Sequence, residues 1–355
     1  MGLKILHSAD WHLDSPFAGY SEEQRAFLKQ EQRKIPGKVA DLCRREGCDM
    51  VLLAGDIFDG EATRESLETL KKALRLCGVP VFIAPGNHDY CTAGSPWLEE
   101  TWPENVHIFT GGLEAVVIPM LDCRVYGAGY QSMDCGPLLQ DFRAEGDEKY
   151  CVAVLHGDPT QKNSPYCPIT GGQVRDSSLD YLALGHIHKA GAFRAGSTLC
   201  AWPGCPMGRG WDETGEKGVC IVTLGDIADI RAVSLDTLRF HEMDVDIGED
   251  AADALEKVLP AAGSQDFYRI TLTGCGEVDT ADLKRKLTAF PNLELRDKTE
   301  PPLDIWADAG EDTLEGVYFH MLREAMENAK PEVQEQIQLA AEISRKLLNG
   351  REVIL

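Results

Sequence analysis

Short apolar runs recur through the first two-thirds of the chain and alternate with amphipathic stretches. The amphipathic stretches predict helices. One begins at the capping-box sequence Ser21-Glu-Glu-Gln24, and another covers Arg64 to Cys77 before Gly78. Shorter strand-like segments between Val106 and Tyr126 indicate a mixed sheet. The apolar runs predict strands at 3–7, 50–54, 79–84, 150–155 and 181–184. Strands that alternate with helices in this way predict a layered α/β domain.

The pattern changes after Arg239. Strand, helix, strand, helix and strand are predicted in order over 240–296, and Pro301-Pro302 closes this segment. Two further helices follow, of which the second has Pro331 in its first turn and stops at Gly350. Its apolar stripe consists of Val333, Ile337, Ala340, Ala341, Leu347 and Leu348. We therefore expect a main domain at 1–238, a small α+β cap domain at 239–304 and a helical tail at 305–355.

Length and composition are those of an ordinary globular protein. The 355 residues are 43% hydrophobic and 26% charged, enough for one large core and a smaller domain. No apolar run reaches the roughly 18 residues of a membrane span, and the start lacks the apolar core of a signal peptide. The twelve cysteines include no CxxC pair, which is typical of reduced thiols. We expect a cytoplasmic protein without membrane association.

The formal charge of −23 at pH 7 restricts the partners. Such an excess of negative charge repels polyanions, which argues against nonspecific coating of nucleic acid. A local nucleic-acid site is still compatible with it, because carboxylates gathered around divalent metals form a positive site once the metals are bound.

Polar residues suited to metal binding directly follow five of the predicted strands. In open α/β sheets the carboxyl ends of strands converge on one ligand pocket, so we expect these residues to meet. The glycines beside them permit sharp turns and close backbone approach. The five clusters are Asp10-Trp-His12, Gly55-Asp56, Gly86-Asn-His-Asp89, His156-Gly157 and Gly185-His-Ile-His188.

The residue types favour a pair of divalent cations. Asp10 and His12, like His186 and His188, are two positions apart and would face the same side of an extended chain. Carboxylate, amide and imidazole ligands without thiolate suit Mn²⁺, Fe²⁺ or Zn²⁺ and argue against structural zinc. Seven candidate ligands exceed the need of one ion, and Asp56 could bridge two ions about 3.5–4 Å apart. Each cluster alone also fits a helix cap or a polar turn; only the combination argues against those interpretations.

Together, the five clusters resemble the motifs of the calcineurin-like metallophosphoesterases. The stretch His12 to Phe17 is similar to the bacterial YhaO-like branch of the SbcD-type DNA repair exonucleases. Four further segments look like the same exonuclease group: Ser8-Ala-Asp-Trp-His-Leu13, Trp202-Pro-Gly-Cys-Pro206, Gly208-Arg209 and Gly215-Glu-Lys-Gly218. The resemblance covers about 3–225, and beyond that only the order of the parts is similar.

The resemblance implies a fold and a mechanism. The fold is a layered metallophosphoesterase domain with mixed β-sheets flanked by helices, followed by the cap and the tail. A two-metal-activated hydroxide would attack phosphorus in line, while His88 protonates the leaving oxygen and Asp89 orients His88. The implied ligands are Asp10, His12 and His188 for one metal, Asn87, His156 and His186 for the other, and Asp56 as the bridge.

The resemblance also implies a substrate and partners. The expected activity is that of a DNA exonuclease in double-strand-break repair, with two Mn²⁺ ions, or Fe²⁺ or Zn²⁺ in their place. A homodimer is implied, as is an SbcC-like coiled-coil ABC-type ATPase partner that docks on the tail helices. Two positions depart from the family pattern. Asp59 stands where some archaeal and eukaryotic relatives carry His, and Cys205 stands where Ser is more usual.

Residues outside the metal motifs leave alternatives open. Arg25, Lys29 and Arg33 lie four apart on the predicted first helix and form either a DNA-contacting face or a solvated one. Asp14 either supports His12 or is a turn carboxylate.

Two other functions stay open as well. The same metals could serve a phosphodiesterase or phosphatase that acts on a nucleotide or another small phosphoester. Protein Ser/Thr phosphatases are disfavoured, because Gly60 follows Asp59 where those enzymes carry Arg. The third function is a non-catalytic scaffold for DNA ends, although every candidate ligand and His88 are present.

Overall fold

A computed structural model describes residues 2–350 of the chain. The chain divides into two compact units. The first comprises the residues through Glu242 together with Gln265–Tyr268, and the second comprises Met243–Ser264 and the residues from Arg269 onward. The predicted boundaries of the cap at 239–304 and the tail at 305–355 stay predictions. Met1 of the predicted main domain and 351–355 of the predicted tail lie outside the described residues.

The helices and strands lie close to the predicted positions, and further strands follow position 190. The strands are β1 (Leu3–Ser8), β2 (Met50–Leu53), β3 (Val81–Ile83), β4 (Val106–Ile108), β5 (Glu114–Ile118), β6 (Cys123–Gly127), β7 (Tyr150–His156), β8 (Tyr181–Gly185), β9 (Gly191–Ala195), β10 (Thr198–Trp202), β11 (Gly218–Leu224), β12 (Asp229–Ser234), β13 (Phe240–Asp246), β14 (Phe267–Thr273) and β15 (Leu293–Asp297). The helices are α1 (Glu22–Gln32), α2 (Ile35–Glu46), α3 (Arg64–Cys77), α4 (Pro96–Glu99), α5 (Gly171–Asp176), α6 (Ala251–Val258), α7 (Thr280–Lys286), α8 (Leu314–Glu327) and α9 (Pro331–Leu348).

Two six-stranded mixed sheets form the framework of the first unit. The first has the order β12-β11-β1-β2-β3-β4, in which β1 to β4 are parallel and β11 pairs antiparallel with β1. The second has the order β5-β6-β7-β8-β10-β9, with parallel pairing from β6 to β10 and antiparallel strands at both edges. A third sheet has the order β13-β14-β15. The prediction of mixed sheets flanked by helices is confirmed.

The two large sheets pack face to face through alternate residues of their strands. Ile5 and Leu52 of the first sheet belong to the same buried cluster as Val152 and Val154 of the second. The neighbouring residues along each strand point the other way. Leu6 packs with α1, α2 and α3, whereas Leu155 packs with α5. The layers are therefore helix, sheet, sheet and helix, because successive side chains of a strand face opposite sides.

No helix among residues 2–350 combines the length and the apolar character that crossing a bilayer would require.

A buried histidine joins the two sheets. Within the described chain, His7 of β1 is fully buried, and its Nε2 lies 3.0 Å from the carbonyl oxygen of Leu184 at the end of β8. Nε2 therefore donates to that carbonyl, and Nδ1 accepts from the hydroxyl of Tyr181 at 2.7 Å. Burial lowers the pKa of His7 to about 3, although the hydrogen bond to Leu184 opposes this effect. The imidazole is neutral and holds the strands that carry two of the metal motifs.

Low pH should reduce the free energy of unfolding, because the unfolded chain protonates at His7 more readily than the folded chain. The pKa is lower in the folded state than the ordinary 6.5, so protons bind the unfolded chain preferentially. This contribution is intact above pH 6.5 and is lost at about 1.4 kcal/mol per pH unit as the pH falls towards 3. His7→Gln should be less stable at pH 7 and should lack this part of the acid sensitivity, measured by urea unfolding between pH 7 and 4.

Tyr181→Phe is the matched control for His7→Gln. It removes a hydrogen bond but keeps the buried imidazole, so it should be less stable and still acid-sensitive. The same pH dependence in His7→Gln and in the wild type would contradict the prediction.

Candidate metal centre

The candidate ligands leave their strands through turns that most residues avoid. Backbone φ is positive at Asp10 (54°), His12 (46°), Asp56 (50°) and His186 (93°). The expectation that each pair lies in an extended chain is therefore wrong. Such conformations cost about 1–3 kcal/mol each and cluster at functional sites. Backbone hydrogen bonds support them: the amides of Asp10 and His12 donate to the carbonyls of Gly55 and Asp56 at 3.0 and 2.9 Å.

Two glycines permit the two sheets to meet at this edge. A Cβ at Gly185 would overlap the carbonyl oxygen of Ala54, which follows β2 in the other sheet. A Cβ at Gly55 would overlap the imidazole of His156, and Gly55 also has φ of 84°. Only glycine allows this approach and this conformation together.

One group of ligand atoms joins Asp10, His12 and His188 within 4.8 Å of one another. The Nε2 atoms of His12 and His188 face each other at 3.1 Å. Ligands about 2.1 Å from one ion at right angles would be about 3 Å apart. The contact between these two nitrogens therefore has the spacing expected of two ligands of one metal.

A second group joins Asp10 and Asp56 to His156, again within 4.8 Å. His156 Nδ1 lies 2.9 Å from the carbonyl oxygen of Ala54 and donates to it. The Nε2 atom then faces Asn87 Oδ1 at 2.9 Å and Asp56 Oδ2 at 3.3 Å. A neutral imidazole would direct its lone pair at two acceptor oxygens, an arrangement that a cation between them stabilises.

These buried carboxylates and imidazoles need positive charge among them. Burial alone would raise the pKa of Asp56, but the neighbouring His156 and His12 hold it below its usual value. Burial alone would lower the pKa of His156, but Asp56 and Asp10 raise it to about 9. A divalent cation meets the same need and displaces the proton, because a metal ligand must be deprotonated. The residues present therefore fit a metal centre.

The structure brings most of the predicted ligands into these groups and leaves one beside them. Asp10, His12, Asp56, His156 and His188 belong to these two groups, and Asn87 contacts His156. A third group joins His12 and Asp56 to His88, which is not among the predicted ligands. His186 packs against the ring of His156, with centroids 5.2 Å apart, but belongs to none of the groups found among residues 2–350. The assignment of individual ligands to the two metals stays a prediction.

His88 lies at the solvent-exposed rim, and its partner is Asp59. His88 is 42% exposed, and its Nδ1 is 2.8 Å from Asp59 Oδ1. This hydrogen bond raises the pKa of His88 above its usual value. Asp59 Oδ2 also accepts from the Ser15 hydroxyl at 2.9 Å. The position that departs from the family pattern is therefore the one that orients His88.

Asp89 does not orient His88, contrary to the sequence-based expectation. It is buried, and its carboxylate accepts from the backbone amides of Gly86, Ile57 and Phe58 at 2.7, 2.8 and 3.2 Å. The sharp turn after β3 directs the side chain inward, so Asp89 fixes the backbone of two ligand-bearing loops instead. Burial raises its pKa to about 7.

The alternatives for Asp14 and the basic helix face are partly resolved. Asp14 accepts from the Thr63 amide at 2.8 Å and the Ser66 hydroxyl at 2.8 Å at the start of α3, so it supports that helix and not His12. Arg33 forms ion pairs with Asp14 and Glu65 at 3.3 and 2.7 Å. Whether this helix face contacts DNA stays open.

Sequence reasoning missed a carboxylate that holds His188. Glu213, in the loop between β10 and β11, places Oε1 2.6 Å from His188 Nδ1. Although burial opposes it, this contact and Arg209 keep the pKa of Glu213 below its usual value. His188 Nδ1 is therefore the donor, and its Nε2 is free to bind a metal. No local pattern indicates the contact, because the two residues belong to different loops.

The comparisons with known proteins can be set beside this geometry. A family model described as "Calcineurin-like phosphoesterase" matches residues 3–190. The chain belongs to this family. The family uses two divalent metals, in agreement with the groups of ligand atoms described above.

Relatives of the chain include a protein named as a metallophosphoesterase and a protein named as a nuclease subunit. A metallophosphoesterase, YhaO of Bacillus subtilis, is 38% identical over 247 residues, which is 64% of this chain and 59% of that protein. The match therefore covers less than two thirds of the length of YhaO. The SbcD component of the SbcCD nuclease of Staphylococcus epidermidis is 21% identical over 82% of this chain and 84% of that protein. A dimetal phosphatase from Danio rerio has 15% identity and a TM-score of 0.43, over 66% of this chain and 97% of that one.

Gly185→Ala should disrupt the metal centre. The added methyl group would overlap the Ala54 carbonyl, so the two sheets must separate where they carry the ligands. We expect a loss of about 1–3 kcal/mol in unfolding free energy and weaker Mn²⁺ binding, measured by urea unfolding and calorimetry. Gly112→Ala is the matched control, because a methyl group there meets open space. Wild-type stability and metal affinity in Gly185→Ala would show that the approach of the sheets is not needed.

Proposed function

We propose that the protein is a metal-dependent DNA exonuclease that hydrolyses phosphodiester bonds. The observation that carries this proposal is the convergence of groups of metal-ligand atoms beside an exposed histidine, His88, that is hydrogen-bonded to Asp59. The first element fits the activation of a phosphate group, and the second fits proton transfer to the oxygen that leaves it.

The metal ligands are divided between two sites. Two divalent cations held there would act as Lewis acids on the phosphate and supply a nucleophilic water at neutral pH. We propose Mn²⁺, with Fe²⁺ or Zn²⁺ as alternatives, because the donors are carboxylate, amide and imidazole groups. The proposed ligands are Asp10, His12 and His188 for one ion, Asn87, His156 and His186 for the other, and Asp56 for both.

His88 acts as the general acid in this proposal. Its ring is accessible to substrate, and the hydrogen bond to Asp59 favours the protonated form that can donate a proton. Asp59 therefore takes the orienting role. Asp89 contributes indirectly, because it holds the amides of Ile57, Phe58 and Gly86.

DNA as the substrate is supported by the relatives named as nuclease components. We propose that an ABC-type coiled-coil ATPase supplies the DNA-binding surface that a chain of charge −23 lacks, and that the complex is cytoplasmic and contains two copies of this chain. The tail offers an apolar face for such a partner. Of the predicted stripe on α9, Ala341 is buried, whereas Val333, Leu347 and Leu348 are 44–62% exposed.

A second candidate function is hydrolysis of a nucleotide or another small phosphoester. The strong negative charge favours it, because a small substrate is repelled less than a polyanion. The relative YhaO is named only as a metallophosphoesterase, which is compatible with such a substrate.

The pure protein with Mn²⁺ should release nucleotides from end-labelled DNA. His88→Asn should lower kcat about 10²- to 10⁴-fold, the usual contribution of a general acid, and should bind as much Mn²⁺ as the wild type. His107→Asn, which changes another partly exposed histidine, should leave both quantities unchanged. Nucleotide release and metal content are measured on the same preparations.

The same assay separates the alternatives. If DNA stays intact while bis(p-nitrophenyl) phosphate is cleaved, either the substrate is a small phosphoester or DNA cleavage requires the ATPase partner; repeating the assay with that partner distinguishes the two. If neither substrate is cleaved although two metals are bound, the protein is a non-catalytic scaffold. Wild-type kcat in His88→Asn would refute the role of that residue.

Asp59→Asn should lower kcat about 10- to 100-fold, because it weakens a hydrogen bond to a charged group. Asp14→Asn is the matched control: it changes a nearby carboxylate that supports α3, so it should lower stability and leave kcat unchanged. The rate of bis(p-nitrophenyl) phosphate hydrolysis and the melting temperature distinguish an effect on catalysis from an effect on stability. Equal rates in Asp59→Asn and the wild type would show that His88 needs no orienting carboxylate.

A further inference from the structure

An arginine from a distant part of the chain lies at the rim of the metal centre. Arg209 belongs to the loop between β10 and β11, and its side chain is 23% exposed. Its NH1 atom lies 3.7 Å from Asp59 Oδ2, and its NH2 atom lies 3.2 Å from Glu213 Oε1. The guanidinium is thus placed between the carboxylate that orients His88 and the carboxylate that holds His188.

Glu213 fixes the position of Arg209. One oxygen, Oε2, accepts from the backbone amide of Arg209 at 2.8 Å, and Oε1 accepts from its NH2 group. Oε1 also accepts from His188 Nδ1 at 2.6 Å. NH2 lies 3.2 Å from His188 Nδ1, but both atoms carry hydrogen, so this contact is not a hydrogen bond. Glu213 is 7% exposed and binds two side chains of the centre at once.

Some N–H donors of the Arg209 guanidinium have no hydrogen-bond acceptor within residues 2–350. Its Nε is buried without a hydrogen-bond partner, and NH1 has the 3.7 Å ion pair with Asp59 but no hydrogen bond within residues 2–350. Arginine has five N–H donors and remains charged, and buried polar groups are nearly always satisfied. An anionic ligand beside Asp59 could accept from the unused NH1 donors.

The chemistry at this rim points to a phosphate group. Arg209 places a guanidinium beside Asp59 from another loop. Guanidinium groups suit phosphate oxygens because they donate in a fixed planar geometry.

We propose that Arg209 is a substrate-binding residue, which donates from NH1 to a non-bridging oxygen of the phosphate that is cleaved, and that Glu213 is its positioning residue. The inference rests on the proposed hydrolysis of phosphoesters. It specifies the ligand class as a phosphodiester or the phosphomonoester that is released from it. Arg209 contacts the substrate, whereas Glu213 acts through Arg209 and His188.

Binding of inorganic phosphate to the Mn²⁺-loaded full chain tests the proposal without any need for turnover. Arg209→Gln should weaken phosphate binding about 10- to 100-fold in calorimetry, the usual value of a hydrogen bond between charged groups. Its Mn²⁺ content should match the wild type, although its melting temperature should fall because Glu213 loses a partner, and Arg209→Lys should recover part of the affinity. Arg175→Gln, which removes an exposed arginine paired with Asp176, is the matched control and should bind phosphate normally.

Glu213→Gln gives the second readout. It should weaken Mn²⁺ binding about 10- to 100-fold, because it loosens the orientation of His188, and it should weaken phosphate binding as well. Three results would overturn the proposal: no phosphate binding by the wild type, unchanged phosphate affinity in Arg209→Gln, or loss of Mn²⁺ from that variant. The last result would make Arg209 a structural part of the metal centre. Failure of the proposed function would appear differently, as normal phosphate binding without hydrolysis of any phosphoester.

Discussion

The metal centre depends on how closely the ends of two β-sheets approach each other. Gly185 at the end of β8 lies against the carbonyl of Ala54 after β2, and Gly55 lies against the ring of His156. A single methyl group at either glycine would force the sheets apart. Because they meet here, ligands from β1, β2 and β3 of one sheet share a pocket with ligands from β7 and β8 of the other. Of the three groups of candidate ligands found among residues 2–350, two combine residues from both sheets.

This approach is stabilised by groups that do not take part in chemistry. His7 joins the sheets through Tyr181 and Leu184, and the carboxylate of Asp89 holds three backbone amides of two loops. Such supports are needed because positive φ at four candidate ligands is unfavourable. The buried carboxylates and imidazoles add an electrostatic cost that a bound cation relieves. The backbone strain at the candidate ligands and the uncompensated charge of the buried groups are therefore both features of a site that is preformed for a cation.

Around the metal ligands, a rim of charged side chains links the two halves of the proposed mechanism. Asp59 contacts His88, and Glu213 contacts His188, while the guanidinium of Arg209 lies between the two carboxylates. His88 and His188 are thus connected through one cation.

The sequence by itself determined the layered α/β fold, the five strands that precede the polar motifs and most of the residues that meet at their ends, because apolar strands and the polar motifs after them are local patterns. It also placed α3 between Arg64 and Gly78, as observed. Only the tertiary structure decided which carboxylate serves which histidine. Asp59, and not the adjacent Asp89, reaches His88, and Glu213 reaches His188 from another loop. Side-chain direction in the turn after a strand, and contact between distant loops, depend on long-range packing that no local pattern records.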